Sequence, residues 1–188
     1  MLNIPLLLTL MRIAVIPVFM VIYYLPFTYA HPMACVLFVL AAITDWLDGY
    51  LARSLKQATR LGAFLDPVAD KLLVAAAVVL VVGDNGYPIL SISAAVIIFR
   101  EIAISALREW MAELGKRASV AVTFVAKLKT TLQMLALILL IWYTPMRSSE
   151  WVLWAGSLLL VAAAALTLWT MIIYLKIAWP DLTLSQEK

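Results

Sequence analysis

Charge is scarce in this chain: 13% of its 188 residues are Asp, Glu, Lys or Arg, while 65% are hydrophobic. Soluble domains are roughly a quarter charged and about half apolar, so a soluble globule is excluded and an integral membrane protein is indicated. Histidine and cysteine occur once each, as His31 and Cys35. One thiol cannot form an intramolecular disulfide, and Cys35 reads as a small apolar residue in a helix. Both residues lie near the opposite end of the helix expected to carry Asp45, which argues against a His/Cys metal centre. Linkers, low-complexity segments and internal repeats are also missing, so one membrane domain over residues 1–188 is expected. The net charge of +3 is small and comes from loop Lys and Arg. That suits a membrane surface and anionic phosphates, with no nucleic-acid partner. The N-terminus lacks the basic start of a secretory signal, and the apolar stretch Ile4–Leu25 is longer than a signal's apolar core. A retained helix is expected there, its first turn or two forming a juxtamembrane amphipathic segment along the membrane surface.

What is abundant is long apolar runs. Six can be placed: Leu8–Leu25, Met33–Arg53, Pro67–Val82, Ile89–Leu114, Val120–Tyr143 and Trp151–Ala178. The expected fold is an all-α bundle of six transmembrane helices, the third short against the roughly 20 residues that cross a bilayer. Pro26 and Pro32, the run Gly83-Asp84-Asn85-Gly86-Tyr87-Pro88, and Thr144-Pro145 mark the loops. Arg53, Lys56 and Arg60 crowd one loop; Lys116 and Arg117, flanked by Arg108, Lys127 and Lys129, crowd another. The alternate loops carry only Arg147, so the basic loops and both termini are expected on the cytoplasmic side of a bacterial inner membrane. Trp142, Trp151, Trp154 and Trp179 read as interfacial anchors.

Against this apolar background stand Asp45, Asp48, Asp66 and Asp70. In a helix Asp45, Asp48, Gly49 and Ala52 share a face at i, i+3, i+4 and i+7, and Asp66 and Asp70 share another at i, i+4. A carboxylate deep in a span costs about 2.5–3.5 kcal/mol on insertion scales, and four close together need countercharge. Two divalent cations would supply it, and all-oxygen ligation selects Mg²⁺ or Mn²⁺. Asp66 before Pro67 also fits a helix N-cap followed by proline at the first helical position, a purely structural role. Capping accounts for none of Asp45, Asp48 and Asp70.

The spaced pattern Asp45-x2-Asp48-Gly49-x2-Ala52-Arg53-x8-Gly62-x3-Asp66-x3-Asp70 resembles, without a departure, the motif of the CDP-alcohol phosphotransferases. The wider chain is similar to the bacterial phosphatidylglycerophosphate synthases of that family, at Asn3-Ile4-Pro5 with Thr9 and Arg12, at Arg100-Glu101 through Ser105-Ala106-Leu107-Arg108-Glu109, and at Lys127-x-Lys129-Thr130-Thr131. The resemblance implies transfer of a phosphatidyl group from CDP-diacylglycerol to sn-glycerol 3-phosphate, with release of CMP. It implies that Asp45, Asp48, Asp66 and Asp70 hold two divalent cations and that Asp70 is also the general base. Gly49, Ala52, Arg53, Thr59 and Gly62 would hold the cytidine diphosphate. A homodimer is expected on the same ground.

Glu101, Ser105 and Arg108 make a polar stripe at i, i+4, i+7, and Lys127, Thr130, Thr131 and Met134 make another; both are expected to face protein or an aqueous cavity. Arg108 and Lys127 are the candidate ligands of the acceptor phosphate, with a snorkelling interfacial charge as the alternative for each. Two rival readings stay open. The same fold can serve another acceptor, as in cardiolipin-type, phosphatidylserine or phosphatidylinositol phosphate synthases. A cation transporter would need the carboxylates near the bilayer midplane and discontinuous helices.

Overall fold

A computed structural model describes residues 3–54, 59–113, 124–144 and 148–184. Its helices are α1 (Ile4–Tyr23), α2 (Ala30–Ser54), α3 (Arg60–Asn85), α4 (Pro88–Glu113), α5 (Phe124–Trp142) and α6 (Glu150–Leu184), and no strand occurs among the described residues. Three helices are long and apolar enough to cross a membrane on their own, over Leu6–Tyr23, Pro88–Ala112 and Glu150–Lys176. Shorter apolar stretches occupy Ala30–Asp45 of α2 and Leu128–Trp142 of α5. In α2 the apolar stretch stops at the first motif aspartate, so the polar motif itself shortens the span.

Most helix limits fall near their sequence estimates. Both ends of α3 differ for identifiable reasons. α3 starts at Arg60, seven residues before Pro67, because Thr59 supplies the cap and proline is carried inside the helix. The third helix thus has 26 residues, although its apolar run stays short. Asp66 is consequently not an N-cap. At the other end α3 runs through Gly83–Asn85 and stops at Gly86, whose φ of +64° is the left-handed conformation that glycine adopts without a Cβ penalty. The expected six-residue breaker loop shrinks to Gly86 and Tyr87, and Pro88 opens α4. α1 is continuous from Ile4, with Pro5 in its first turn and Pro17 inside it, and no separate segment is set off at its start. α6 continues to Leu184, beyond the Ala178 expected.

The chain packs as two compact units. The first comprises residues 1–85 with 137–154. Its α1 presents Leu6, Thr9, Arg12, Ile16, Phe19 and Tyr23 as one buried face at helical spacing. α2 meets that face antiparallel: Arg12 contacts Asp45, and the Phe19 and Phe38 rings lie 6.0 Å apart. α3 runs parallel to α1, with Thr9 on Asp66 at one end and Tyr23 donating to Asp84 at 3.3 Å at the other. Ala34, Ala41, Ala69 and Ala77 are buried on α2 and α3. Small residues let membrane helices approach closely where lipid gives no hydrophobic drive between them. The end of α5 seals this unit against α2, where His31 Nδ1 lies 3.2 Å from the Ile141 carbonyl and Cys35 donates to the Ile138 carbonyl at 3.7 Å.

The second unit comprises residues 86–136 with 155–188. α4 buries Leu90, Ser93, Ile97, Arg100, Ile104 and Met111 along one stripe. α5 contributes Lys129, Gln133 and Ala136, and α6 Leu160, Ala163, Thr167 and Thr170. Leu158, Trp169 and Ile172 of α6, like Trp151 and Trp154, are exposed, as a lipid-facing surface requires.

Candidate active site

The first unit holds two motif aspartates against one helix. Arg12 and Thr9, three residues apart on α1, share a face and are separated by about 4.5 Å along the axis. The Arg12 guanidinium donates to Asp45 Oδ1 of α2, and the Thr9 hydroxyl donates to Asp66 Oδ1 of α3 at 2.6 Å. Both α1 side chains are fully buried, at 0% exposure for Thr9 and 1% for Arg12, whereas Asp45 retains 40%. Each carboxylate is thus gripped from behind by α1. One oxygen of each takes the α1 donor, and a carboxylate has lone pairs on the other for a further partner.

Asp70 follows Asp66 by one turn on α3 and is exposed. Asp48, Gly49, Ala52 and Arg53 lie within the α2 helix, but their side chains fall outside the described residues. Lys127 lies in α5 and its side chain is likewise outside them. Among the described residues no three Asp, Glu, His or Cys side chains gather into a cation cluster. The described donor set is two carboxylates already oriented and a third one turn away, all oxygen, which fits a hard divalent cation.

Ahead of the aspartates of α3, Thr59 Oγ1 accepts a hydrogen bond from the Gly62 backbone N–H at 3.0 Å, the bond of an N-cap to the third helical residue. A Cβ on residue 62 would stand 2.9 Å from that oxygen, too close to keep the cap unshifted. The motif glycine is required by the cap that starts α3.

The second unit carries a separate charged cluster. Glu101 of α4 accepts from Arg100 at 2.5 Å and from Lys129 of α5 at 3.2 Å. Arg100 and Lys129 are buried, with 6% and 5% exposure. Ser105, the next member of the stripe, donates back to the Glu101 carbonyl at 2.7 Å. Arg108 is exposed, its guanidinium carbon 5.9 Å from the Tyr174 ring centroid of α6. The α4 stripe therefore does face protein at Glu101. Lys129 is the α5 lysine that pairs there, in a role the sequence pattern left unassigned.

The family model described as CDP-alcohol phosphatidyltransferase matches residues 2–175. The chain belongs to the CDP-alcohol phosphatidyltransferase family. A Salmonella typhimurium relative is 56% identical over 180 residues, covering 96% of this chain and 97% of its own length; it is named CDP-diacylglycerol–glycerol-3-phosphate 3-phosphatidyltransferase. An Escherichia coli K12 relative of the same name is 55% identical over the same shares. The CDP-alcohol phosphatidyltransferase match runs through both units and includes all four motif aspartates.

Sequence reasoning missed Thr9 and Arg12 as parts of this site. The signal was present: Arg12 is the only charge between Leu8 and Leu25. A charge inside a membrane helix nearly always turns inward and pairs with an opposite one. The only acidic residues in the neighbouring apolar spans are those of the motif and Asp84.

Proposed function

We propose that this chain transfers the phosphatidyl group of CDP-diacylglycerol to sn-glycerol 3-phosphate, giving phosphatidylglycerophosphate and CMP. One observation carries the reading at the level of chemistry: aspartates from α2 and α3 of the family motif are drawn to the same face of α1. The identity to enzymes of that name over nearly the whole chain supports this donor and acceptor over the rivals.

In the reaction the free hydroxyl oxygen of the acceptor forms a bond to the phosphorus that bears diacylglycerol. The bond from that phosphorus to the bridging oxygen breaks, and CMP leaves with the oxygen. Asp70, exposed beside Asp66, takes the hydroxyl proton. Asp45, Asp48, Asp66 and Asp70 are the residues that would hold two Mg²⁺ or Mn²⁺ ions. Such ions, when bound, polarise the pyrophosphate oxygens and offset the charge developing on the leaving CMP. Gly49, Ala52 and Arg53 at the end of α2, with Thr59 and Gly62, take the cytidine diphosphate. Arg108 and Lys127 take the acceptor phosphate; Arg offers a two-pronged donor fork and Lys a point charge.

The reading puts the site at the cytoplasmic face of a bacterial inner membrane, where the soluble acceptor is available, in a single domain over residues 1–188 that forms a homodimer. The test is CMP release by purified protein given CDP-diacylglycerol and, in turn, glycerol 3-phosphate, serine, inositol phosphate and phosphatidylglycerol. Turnover with glycerol 3-phosphate, abolished by chelation and restored by Mg²⁺ or Mn²⁺, is expected. Full turnover in a chelated preparation sinks the site as described, and preference for another acceptor sinks the substrate assignment.

A further inference from the structure

α1 carries no residue of the aspartate motif, yet it spends two fully buried polar side chains on that motif's carboxylates. A helix needing only to pack there would present apolar side chains, as α1 does at Leu6, Ile16 and Phe19 of the same face. The Thr9 hydroxyl reaches across to α3 and donates to one named oxygen of Asp66 at 2.6 Å. A donor fixed on Oδ1 sets the plane of the carboxylate and turns the second oxygen to a defined direction. Arg12 makes the equivalent contact to Asp45 one turn further along, independently of the first.

We propose that Thr9 is a positioning residue for the divalent cation site: it orients Asp66 and thereby sets the affinity of the site for its ion. The proposal rests on the reading of the aspartates as cation ligands given above. Threonine does this without adding charge, so the net negative charge that attracts a divalent ion is kept. The contact acts through Asp66; Thr9 itself, buried behind the carboxylate, touches neither ion nor substrate. Groups that orient metal-binding side chains typically account for about 10–100-fold in metal affinity.

The experiment is titration of purified, full-length protein in detergent with Mn²⁺, followed by electron paramagnetic resonance of the free ion, beside the Mg²⁺ dependence of CMP release. The variants are T9V, which keeps shape and loses the donor, T9S, which keeps the donor, D66N, and T170V. The last removes a buried hydroxyl that bonds its own helix at the Thr167 carbonyl. T9V is expected to bind Mn²⁺ about 10–100-fold more weakly and to need correspondingly more Mg²⁺, while T9S and T170V match the parent. Should T9V not elute as a folded species, T9A takes its place against T9S. T9V with parental Mn²⁺ affinity, or T9S as impaired as T9V, overturns the positioning role while leaving the cation site intact if D66N has lost binding. Parent protein that takes up no Mn²⁺ overturns the cation site and the positioning role together.

Discussion

A carboxylate survives in a membrane helix only where something offsets its desolvation. Asp45 has the buried guanidinium of Arg12, and Asp66 has the Thr9 hydroxyl, a weaker compensation for a full charge. Partial exposure covers part of the remainder at Asp45. The rest of the compensation belongs to the cations the site is proposed to hold. Replacing Asp45, Asp48 or Asp66 by Asn is therefore expected to abolish CMP release while leaving membrane insertion intact, checked by yield and monodisperse elution. Asp70→Asn should lose turnover yet keep measurable CDP-diacylglycerol binding, since the further role proposed for it is to take a proton. Wild-type turnover of Asp70→Asn would remove it as the base. Arg108 is a different case, because an exposed cation over Tyr174 gains only about 0.5–1 kcal/mol from the ring and no carboxylate among the described residues forms an ion pair with it. Arg108→Gln and Lys127→Gln should raise the KM for glycerol 3-phosphate roughly tenfold to a hundredfold, as loss of a charge-assisted contact does. The KM for CDP-diacylglycerol should move far less. Unchanged acceptor kinetics in both variants would direct the phosphate site to other cations.

Among the elements, α3 shows how a local signal can be real in kind and misplaced in position. Asp66-Pro67 has the composition of a cap and first helical residue, but Thr59 lies upstream, and Leu61, Phe64 and Leu65 continue the helix periodicity back to it. A proline in the interior removes one helical donor, which a membrane helix packed against neighbours tolerates. Thr59→Ala is expected to cost about 1 kcal/mol, the usual worth of a cap, and to lower the Tm in detergent. Thr59→Ser should hold it, and Gly62→Ala should lower it by crowding the cap oxygen. For Thr59→Ala donor affinity should fall with the Tm, through the nucleotide contact proposed for Thr59, and a fall in affinity at unchanged Tm would leave the hydroxyl only that contact. The helices themselves are legible from apolar runs and glycine or proline breaks, and the proposed chemistry of the site rests on four aspartates in an apolar chain. The part played by α1 was not. Arg12 meets Asp45 across 33 residues and Thr9 meets Asp66 across 57, and periodicity within one helix says nothing about which neighbour its polar face will meet.

At the scale of the molecule, the first unit carries its own measure of depth in the membrane. α1 and α3 run parallel, with Thr9 on Asp66 at one end and Tyr23 on Asp84 at the other. Asp66 and Asp84 are 18 residues apart on α3, or about 27 Å of helix, close to the ~30 Å hydrocarbon thickness of a bilayer. The motif aspartates and the Gly86 turn therefore belong at opposite faces, and a midplane ion pathway fits this spacing poorly. Lys56 falls between Asp45 and Asp66 in the sequence, and the concentration of Lys and Arg in alternate inter-helix segments is the ground for the cytoplasmic side proposed for that face. Single cysteines at residues 56, 116, 85 and 148, introduced in a Cys35→Ala background, test the arrangement with a membrane-impermeant thiol reagent on intact cells. Asn85→Cys and Ser148→Cys should be labelled from outside; Lys56→Cys and Lys116→Cys should react only after the membrane is opened. Labelling of Lys56→Cys in sealed cells would invert the bundle. The soluble acceptor would then have to be supplied from the far side, and the phosphatidyl transfer proposed here would lose its route to glycerol 3-phosphate.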